Sequence, residues 1–295
     1  MSIAGVVEAQ FAPLVRAIAG DDLDREQIAQ RFARAAWTTI AEPGDRDAGV
    51  LIEALGPVHA LDLLATGAEA DEITARVAEL SGPEVSVDQV TDALKRWGPR
   101  AGTAATLLAL RQAARFGMRM LVPGDDDWPR ALDDLESHAP FALWVRGDAA
   151  RLGALDRSIA LVGARAATGY GEHVTIELAS GLVDRGFAIV SGAAYGIDGS
   201  AHRAALASQG TTVAVLAGGL DRFYPSGHEQ LIARIADRGV VLAEVPPGTT
   251  PTKWRFLLRN RLIAALSGAT VVVEAGWRSG SLNTAGHAAT LGRPL

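Results

Sequence analysis

The sequence predicts an α/β protein: a Rossmann-like parallel sheet with helices on both faces, preceded by a small helical domain. Two observations support this class. After residue 158, apolar runs rich in β-branched residues alternate with helical segments, whereas the first half shows apolar residues at helical spacing. Continuous apolar strands are expected where crossover helices cover both faces of a parallel sheet. The five runs are SIALVGA, FAIVSGA, TTVAVLAGG, GVVLAEV and ATVVVEAG.

Composition limits the class of protein. The chain has 295 residues, of which 48% are apolar, and this length fits about two domains. It contains no cysteine, which excludes a disulfide framework and a thiolate metal site. The amino terminus lacks a signal-peptide pattern, and no apolar run approaches the roughly 20 residues of a membrane helix. We therefore expect a soluble, cytoplasmic protein with no membrane partner.

Residues 1–116 are predicted to form the small helical domain. Glycine-proline pairs at 56–57, 82–83 and 98–99 separate its helical segments. Short helices joined by tight glycine turns resemble SAM or helix-hairpin-helix modules, some of which hold DNA backbones through loop amides. Residues 1–150, however, contain 14 Lys/Arg and 24 Asp/Glu, a net charge of −10. This acidity favours packing or partner contact over a main DNA-binding role.

A connecting segment is predicted over residues 117–157, with a strand, an acidic turn, a helix and a second strand leading into the sheet. Asp125, Asp126 and Asp127 form the acidic turn. Three adjacent carboxylates point in different directions and lack spaced partners, so a solvated turn is expected and no metal is assigned.

The remaining residues, 158–295, are predicted to form the Rossmann-like domain. From residue 151 onward the chain holds 14 Lys/Arg and 10 Asp/Glu, a net charge of +4. Sites in such folds lie beyond the carboxyl ends of the strands. In the first loop, Gly163 and Ala164 let an anion approach the backbone and Arg165 can bind a phosphate. Tight strand-to-helix packing is the alternative, and the glycine spacing is not that of a dinucleotide site.

The second strand ends at Ser191 and Gly192, which make another small-residue loop. Asp198 and His202 follow, and a nearby serine, aspartate and histidine suggest a hydrolase. No GxSxG turn is present, however, and proximity in sequence does not establish a triad. Packing or local hydrogen bonding is therefore favoured for His202, and no catalytic residue is assigned.

The third strand leads into a turn that contains Gly218, Gly219, Arg222, Phe223 and Tyr224. An exposed aromatic residue beside an arginine can stack on the bases of a single strand. The alternative is that the aromatic pair fills the domain's own core.

The helix that follows the fourth strand is strongly basic. Helical spacing places Arg255 and Arg259 on one face and turns Leu258 and Leu262 toward the sheet. Phosphate contact is favoured over a merely solvated basic face, because this helix begins on the same rim as the first loop. The predicted binding residues are Lys253, Arg255, Arg259, Asn260 and Arg261.

After the last strand, Ser279, Gly280 and Ser281 surround another helix start. Backbone amides of this kind can form an anion nest.

The ordered motifs together resemble the DNA-processing protein A (DprA/Smf) family. They comprise GAR with YG, SGAAYGID with SAH, GGLDRFYP, RFLLRNRLIAALS and VVEAGWRSGSLNTAGHA, and they extend over residues 158 to 294. Upstream, PGDDDWPRALDDL and LWVRGD resemble the segment that leads into the family's sheet. Each motif alone is ordinary, but the ordered set is specific.

This resemblance implies sequence-tolerant binding of single-stranded DNA, a homodimer, and loading of the RecA recombinase during natural transformation, without a cofactor. By position, Arg165 would bind phosphate, and Arg259, Asn260 and Arg261 would line the DNA groove. Some relatives carry lysines where this chain has Tyr195 and Ser226. Relatives also continue through another strand beyond Leu295, so the sequence is expected to be truncated there.

Two other classes of function remain open. A nucleotide-binding or nucleotide-hydrolysing enzyme of the lysine-decarboxylase-like group shares this kind of sheet and is expected to show PGGxGTxxE. The corresponding EAGWRSGSLNTA lacks the closing glutamate, so hydrolysis loses its obvious general acid or base. A protein-interaction scaffold would show no salt-sensitive DNA binding.

Overall fold

The computed structural model describes residues 2–80, 85–277 and 279–295, so the predicted turn at Gly82-Pro83 lies outside the described residues. A short hairpin of β1 (Ser2–Ile3) and β2 (Val6–Val7) opens the chain. Seven helices follow: α1 (Glu8–Ala19), α2 (Arg25–Ile40), α3 (Arg46–Leu55), α4 (Pro57–Thr66), α5 (Ala70–Glu79), α6 (Val87–Trp97) and α7 (Thr103–Arg115).

Local sequence explains where two of these helices begin. Asp24 at the start of α2 accepts a hydrogen bond from the Gln27 backbone, and the Gln27 side chain accepts one from the Asp24 backbone. Ser86 and Gln89 form the same reciprocal pair before α6. Such capping boxes satisfy donors that the first turn of a helix leaves free.

Buried aromatic residues fill the core of the helical region. Trp37 is fully buried, donates from its indole nitrogen to the Pro57 carbonyl, and meets Trp97 edge-on. Phe11 stacks on Phe32 with ring centroids 4.3 Å apart. These contacts join α1, α2 and α6 into one packed unit.

The second half of the chain builds a seven-stranded sheet in the order β3-β4-β8-β7-β6-β5-β9. Strands β5 to β9 are parallel, whereas β4 pairs antiparallel with β8 and β3 antiparallel with β4. The predicted fold class is confirmed, with two antiparallel strands added at one edge by the connecting segment. The strands are β3 (Arg119–Leu121), β4 (Leu143–Gly147), β5 (Ser158–Gly163), β6 (Ala188–Ser191), β7 (Thr212–Leu216), β8 (Val240–Ala243) and β9 (Ala269–Glu274).

Helices cover both faces of this sheet. Successive side chains of each strand point to opposite faces, so each strand packs against helices on both sides. In β7, Val213 and Val215 belong to the cluster that contains Leu262, whereas Ala214 and Leu216 belong to the cluster that contains Ile232. Complete burial on both sides explains the uninterrupted apolar runs in the sequence. The helices are α8 (Gly169–Val183), α9 (Ile197–Ala207), α10 (Glu229–Arg238), α11 (Lys253–Ala265) and α12 (Ser281–Thr290).

The helical region packs directly on the sheet. One continuous apolar cluster contains Trp37 of α2, Trp144 of β4 and Ile232 of α10. Asp125 of the acidic turn forms an ion pair with Arg31 of α2, so this carboxylate holds the two parts together instead of being solvated as predicted. The boundaries proposed at residues 116/117 and 157/158 stay predictions.

No helix within the described ranges is long and apolar enough to cross a membrane by itself. Together α3 and α4 reach the required length and composition, but they meet at a bend of 111°.

His202 of α9 is buried inside the protein, as the packing interpretation predicted. The hydroxyl of Thr212 donates to the Ile189 carbonyl, and its oxygen lies 2.7 Å from Nδ1 of His202. Because the hydroxyl hydrogen of Thr212 is already donated to Ile189, Nδ1 of His202 must be the donor to the Thr212 oxygen. Burial, with a smaller contribution from the nearby His228, lowers the pKa of His202 from 6.5 to about 3.

We predict that His202 makes the protein less stable in acid. The unfolded histidine binds a proton near pH 6.5 and the folded one only near pH 3. Unfolding therefore takes up a proton between these values, and the free energy of unfolding falls with decreasing pH by up to about 1.4 kcal/mol per unit. Urea unfolding from pH 7 to pH 4 should show a shallower decline for His202→Gln than for the wild type. His59→Gln, at an exposed histidine, is the control; parallel declines for wild type and His202→Gln would contradict the assignment.

A second prediction tests the contact between α3 and the connecting segment. A Cβ added at Gly49 would lie 1.9 Å from the Ser137 carbonyl oxygen. Gly49→Ala should therefore lower the free energy of unfolding by about 1–3 kcal/mol. Gly286→Ala in α12 is the matched control, because a Cβ there meets nothing within 4 Å and alanine is favoured in helices by up to about 1 kcal/mol. Urea unfolding of both variants checks the pair, and a Gly49→Ala protein at least as stable as wild type would disprove the close contact.

Candidate nucleic-acid interface

A cleft of about 680 Å³ opens at the carboxyl edge of the parallel strands, between the loop after β5 and the first turns of α11 and α12. Segments far apart in sequence meet there, as expected for a parallel sheet. Nine residues predicted from the sequence line this cleft, and they are Gly163, Ala164, Arg165, Lys253, Arg259, Asn260, Ser279, Gly280 and Ser281.

The loop after β5 combines tight packing with a free cation. A Cβ on Gly163 would lie 2.5 Å from Ile197, so this glycine is required for the close contact between strand and helix. The side chain of Arg165 is exposed, forms no ion pair with the described residues, and lies over the Phe256 ring at 4.9 Å. Packing thus accounts for Gly163, while Arg165 remains available to an anion.

The amino end of α8 is occupied by a carboxylate of the protein itself. Glu274 at the end of β9 accepts hydrogen bonds from the backbone nitrogen and the hydroxyl of Thr168, at 3.0 and 3.1 Å. A Cβ on Gly171 would lie 1.9 Å from the same carboxylate. The start of α8 is therefore not available to a phosphate. The sequence analysis assigned no role to Glu274, although an acidic residue at the end of an apolar strand was a visible signal.

The basic face predicted for α11 is largely neutralised. Arg255 forms a two-pronged ion pair with Glu42, with both N–O distances 3.0 Å. Arg261 is buried and pairs with Glu244, which also accepts from the Gly44 backbone at 3.1 Å. The prediction that these two arginines are available to phosphates is therefore corrected, because acidic partners from other parts of the chain already hold them.

Arg259 is also buried and acts as a structural anchor at the floor of the cleft. It donates to the carbonyls of Gly192, at 3.0 Å, and of Val215, which lie at the ends of β6 and β7. Burial lowers its pKa to about 10, and the negative charge of Asp198 opposes this shift. The predicted exposed position of Arg259 is thus corrected to an internal one that still borders the cleft.

Asn260 connects α11 to the start of α12. Its amide nitrogen donates to the Gly280 carbonyl at 3.1 Å and to the Asn283 side chain at 3.2 Å. The hydroxyls of Ser279 and Ser281 lie 2.6 Å apart beside it. Asn260 is buried, so its direct role is to position this loop rather than to extend into solvent.

Several predicted residues lie behind the cleft surface. Ser191 is buried and donates to the Leu161 carbonyl at 2.6 Å, and the Gly192 nitrogen donates to Asp198 at 3.1 Å. Gly218 packs on Pro251, and the Gly219 nitrogen donates to the Thr249 carbonyl at 2.9 Å. These residues shape the loops, and their backbones are already hydrogen-bonded or packed.

The aromatic pair after β7 divides between core and surface. Phe223 is 9% exposed and packs beneath Arg146, whose guanidinium lies 4.6 Å from the ring centroid. The prediction that Phe223 contacts DNA is therefore corrected in favour of the core alternative. Tyr224 is exposed and lines the cleft beside Phe256. Arg222 is exposed and has no ion-pair partner among the described residues.

Comparison with known proteins adds independent support to this description. The family model for DNA recombination-mediator protein A matches residues 119–295. A protein of Mycobacterium tuberculosis described as a DNA processing protein DprA is 44% identical over 271 residues, covering 88% of this chain. The DNA processing protein DprA of Bacillus subtilis is 42% identical over 156 residues, covering 53% of this chain. This chain spans 64% of the mycobacterial relative and 52% of the Bacillus one.

Solved structures agree with the sequence relatives. The DNA processing protein A structure from Streptococcus pneumoniae matches with a TM-score of 0.66 at 28% identity, covering 90% of this chain and 84% of that one. The structure from Helicobacter pylori, from work on its single-stranded DNA binding mode, matches with a TM-score of 0.55 at 34% identity, covering 60% and 79%. The resemblance seen in the motifs is confirmed, and the chain belongs to the DNA recombination-mediator protein A family, the DprA/Smf proteins.

Proposed function

We propose that this chain binds single-stranded DNA across the carboxyl edge of its parallel sheet. The observation that carries the proposal is a set of exposed cations, Arg165, Arg222 and Lys253, that follow β5, β7 and β8. None of the three forms an ion pair within residues 2–80, 85–277 and 279–295. Unpaired cations around a cleft attract phosphates, and their binding releases counterions from the nucleic acid.

The chemistry of the cleft suits a sugar-phosphate backbone. Arg165 presents a planar guanidinium that can bind two phosphate oxygens at once. The Ser279–Ser281 loop adds hydroxyls and the start of α12 to the lining of the cleft, and Lys253 adds a second positive charge. The Helicobacter pylori relative, whose single-stranded DNA binding mode has been studied, shares 34% of the aligned residues and supports the same ligand for this chain.

The site is better suited to binding than to catalysis, because the carboxylate beside the cleft already has partners within the protein. Asp198, a carboxylate that borders the cleft, is buried, accepts from the Gly192 backbone and interacts electrostatically with Arg259. Burial raises its pKa, whereas the charge of Arg259 acts in the opposite direction. The nucleotide-enzyme alternative is further disfavoured because Glu274 occupies the helix start where a nucleotide phosphate would be held.

We extend the proposal to the biological role that the family suggests. Contacts to the backbone and to base faces tolerate any sequence, so the protein would protect incoming strands regardless of their content. It would act in the cytoplasm as a homodimer and would help to load RecA recombinase during natural transformation and recombination. Membership of a recombination-mediator family supports this role.

Removal of single cations tests the proposed site. In fluorescence anisotropy with labelled oligothymidine, Arg165→Ala and Lys253→Ala should each weaken binding about tenfold or more at low salt, because charged hydrogen bonds contribute about 1.5–3 kcal/mol. Each variant should also reduce the slope of log affinity against log salt by about 0.7. Arg238→Ala is the matched control, since Arg238 is exposed at the end of α10 and no described residue forms an ion pair with it.

Two results would contradict the proposal. One is equal binding by the wild type, Arg165→Ala and Lys253→Ala over the whole salt series. The other is equal weakening by Arg238→Ala, which would indicate attraction by overall charge without a defined site.

A further inference from the structure

Each of the five parallel strands is followed by one exposed aromatic side chain. The residue is Tyr170 after β5, Tyr195 after β6, Tyr224 after β7, Trp254 after β8 and Trp277 after β9. Their exposed fractions are 78%, 45%, 48%, 63% and 94% in the same order. Among the described residues, only Phe116 in the helical region adds a further exposed aromatic ring, at 39%.

This distribution is not a general property of the chain's aromatic residues. All three tyrosines of the sequence lie at this edge, whereas Trp37, Trp97, Trp128 and Trp144 are at most 5% exposed. A large apolar ring left in water gains nothing from folding, and a group of such rings usually marks a binding surface.

The segments that carry these rings follow neighbouring strands. In the order of the sheet, they follow β8 (Trp254), β7 (Tyr224), β6 (Tyr195), β5 (Tyr170) and β9 (Trp277). The exposed cations Lys253, Arg222 and Arg165 lie in the loops after β8, β7 and β5, among the same rings. Rings interleaved with cations are typical of surfaces that bind single strands.

We propose that these five side chains are successive stacking platforms, so that a single strand crosses the sheet edge from Trp254 to Trp277 with its bases on the rings. The inference rests on the proposed function and adds to it the path of the strand. Loop cations hold the phosphates, and the aromatic rings hold the bases. A protein partner is the less favoured occupant, because three of the five segments that carry the rings also carry an exposed cation.

Stacking on these rings selects an unpaired strand. Bases that rest on separate rings are unstacked from one another. A duplex cannot turn its base faces outward in this way, so it would meet only the cations.

Intrinsic fluorescence gives a direct readout of the path. Because four of the six tryptophans are buried, oligothymidine that stacks on Trp254 and Trp277 should quench the exposed part of the emission. Quenching should fall for Trp254→Phe and Trp277→Phe and be absent in the double variant, even though phenylalanine keeps a ring and supports binding. A duplex of equal length should quench weakly.

Affinity measurements separate stacking from phosphate contact. Trp254→Leu and Trp277→Leu should each weaken oligothymidine binding about 5- to 100-fold, the range expected for loss of one stacked base. The dependence on salt should keep its wild-type slope, unlike that of Arg165→Ala, and the phenylalanine variants should recover most of the affinity. Phe116→Leu, at the exposed ring outside this edge, is the control and should bind as wild type.

The outcomes distinguish this inference from the proposed function. The stacking path would be overturned if both leucine variants bound with wild-type affinity and oligothymidine left the wild-type emission unquenched. If Arg165→Ala still bound weakly in that case, the phosphate site would stand. A wild-type protein that fails to bind oligothymidine at low salt would overturn both. Loss of affinity for a duplex as large as for a single strand would show that the rings act without base stacking and would also overturn the path.

Discussion

The buried guanidinium of Arg259 is the interaction on which the carboxyl edge depends. A charged group inside a protein is costly unless hydrogen bonds and an opposite charge compensate it. Here the carbonyls of Gly192 and Val215 and the charge of Asp198 supply that compensation. The ends of β6 and β7 are thereby fixed to α11, and the first turn of α11, with Lys253 and Trp254, is held at the rim.

Electrostatics at this edge is set by which cations are left unpaired, more than by how many there are. Glu42 and Glu244 hold Arg255 and Arg261, so these arginines fasten the helical region and the sheet to α11. Arg165, Arg222 and Lys253 have no such partners among the described residues. A protein with a net charge of −6 can therefore present a locally cationic surface, because its acidic residues neutralise the inner arginines and leave the outer ones free.

The sequence was sufficient for the fold class because each parallel strand is a continuous apolar run that ends in a small-residue loop. It was also sufficient to place Arg165 and Lys253 at one edge, since parallel strands end on the same side. The partners of Arg255 could not be foreseen, because Glu42 lies 213 positions away and helical spacing reports only neighbours. Phe223 and Tyr224 were ambiguous because adjacent residues point in opposite directions. That the exposed aromatic residues follow neighbouring strands required the strand order, which no local pattern contains.

Photo-crosslinking shows where on the protein a single strand lies, and so whether it crosses the carboxyl edge, which a binding constant does not report. Oligothymidine carrying 5-iodouracil would be irradiated with the wild-type protein, and the crosslinked peptides would be identified by mass spectrometry. Crosslinks are expected in the segments that follow β5, β7, β8 and β9, with Tyr170, Tyr224, Trp254 and Trp277 as acceptors. Crosslinks confined to α1–α7 would contradict the proposal, because the strand would then lie on the helical region.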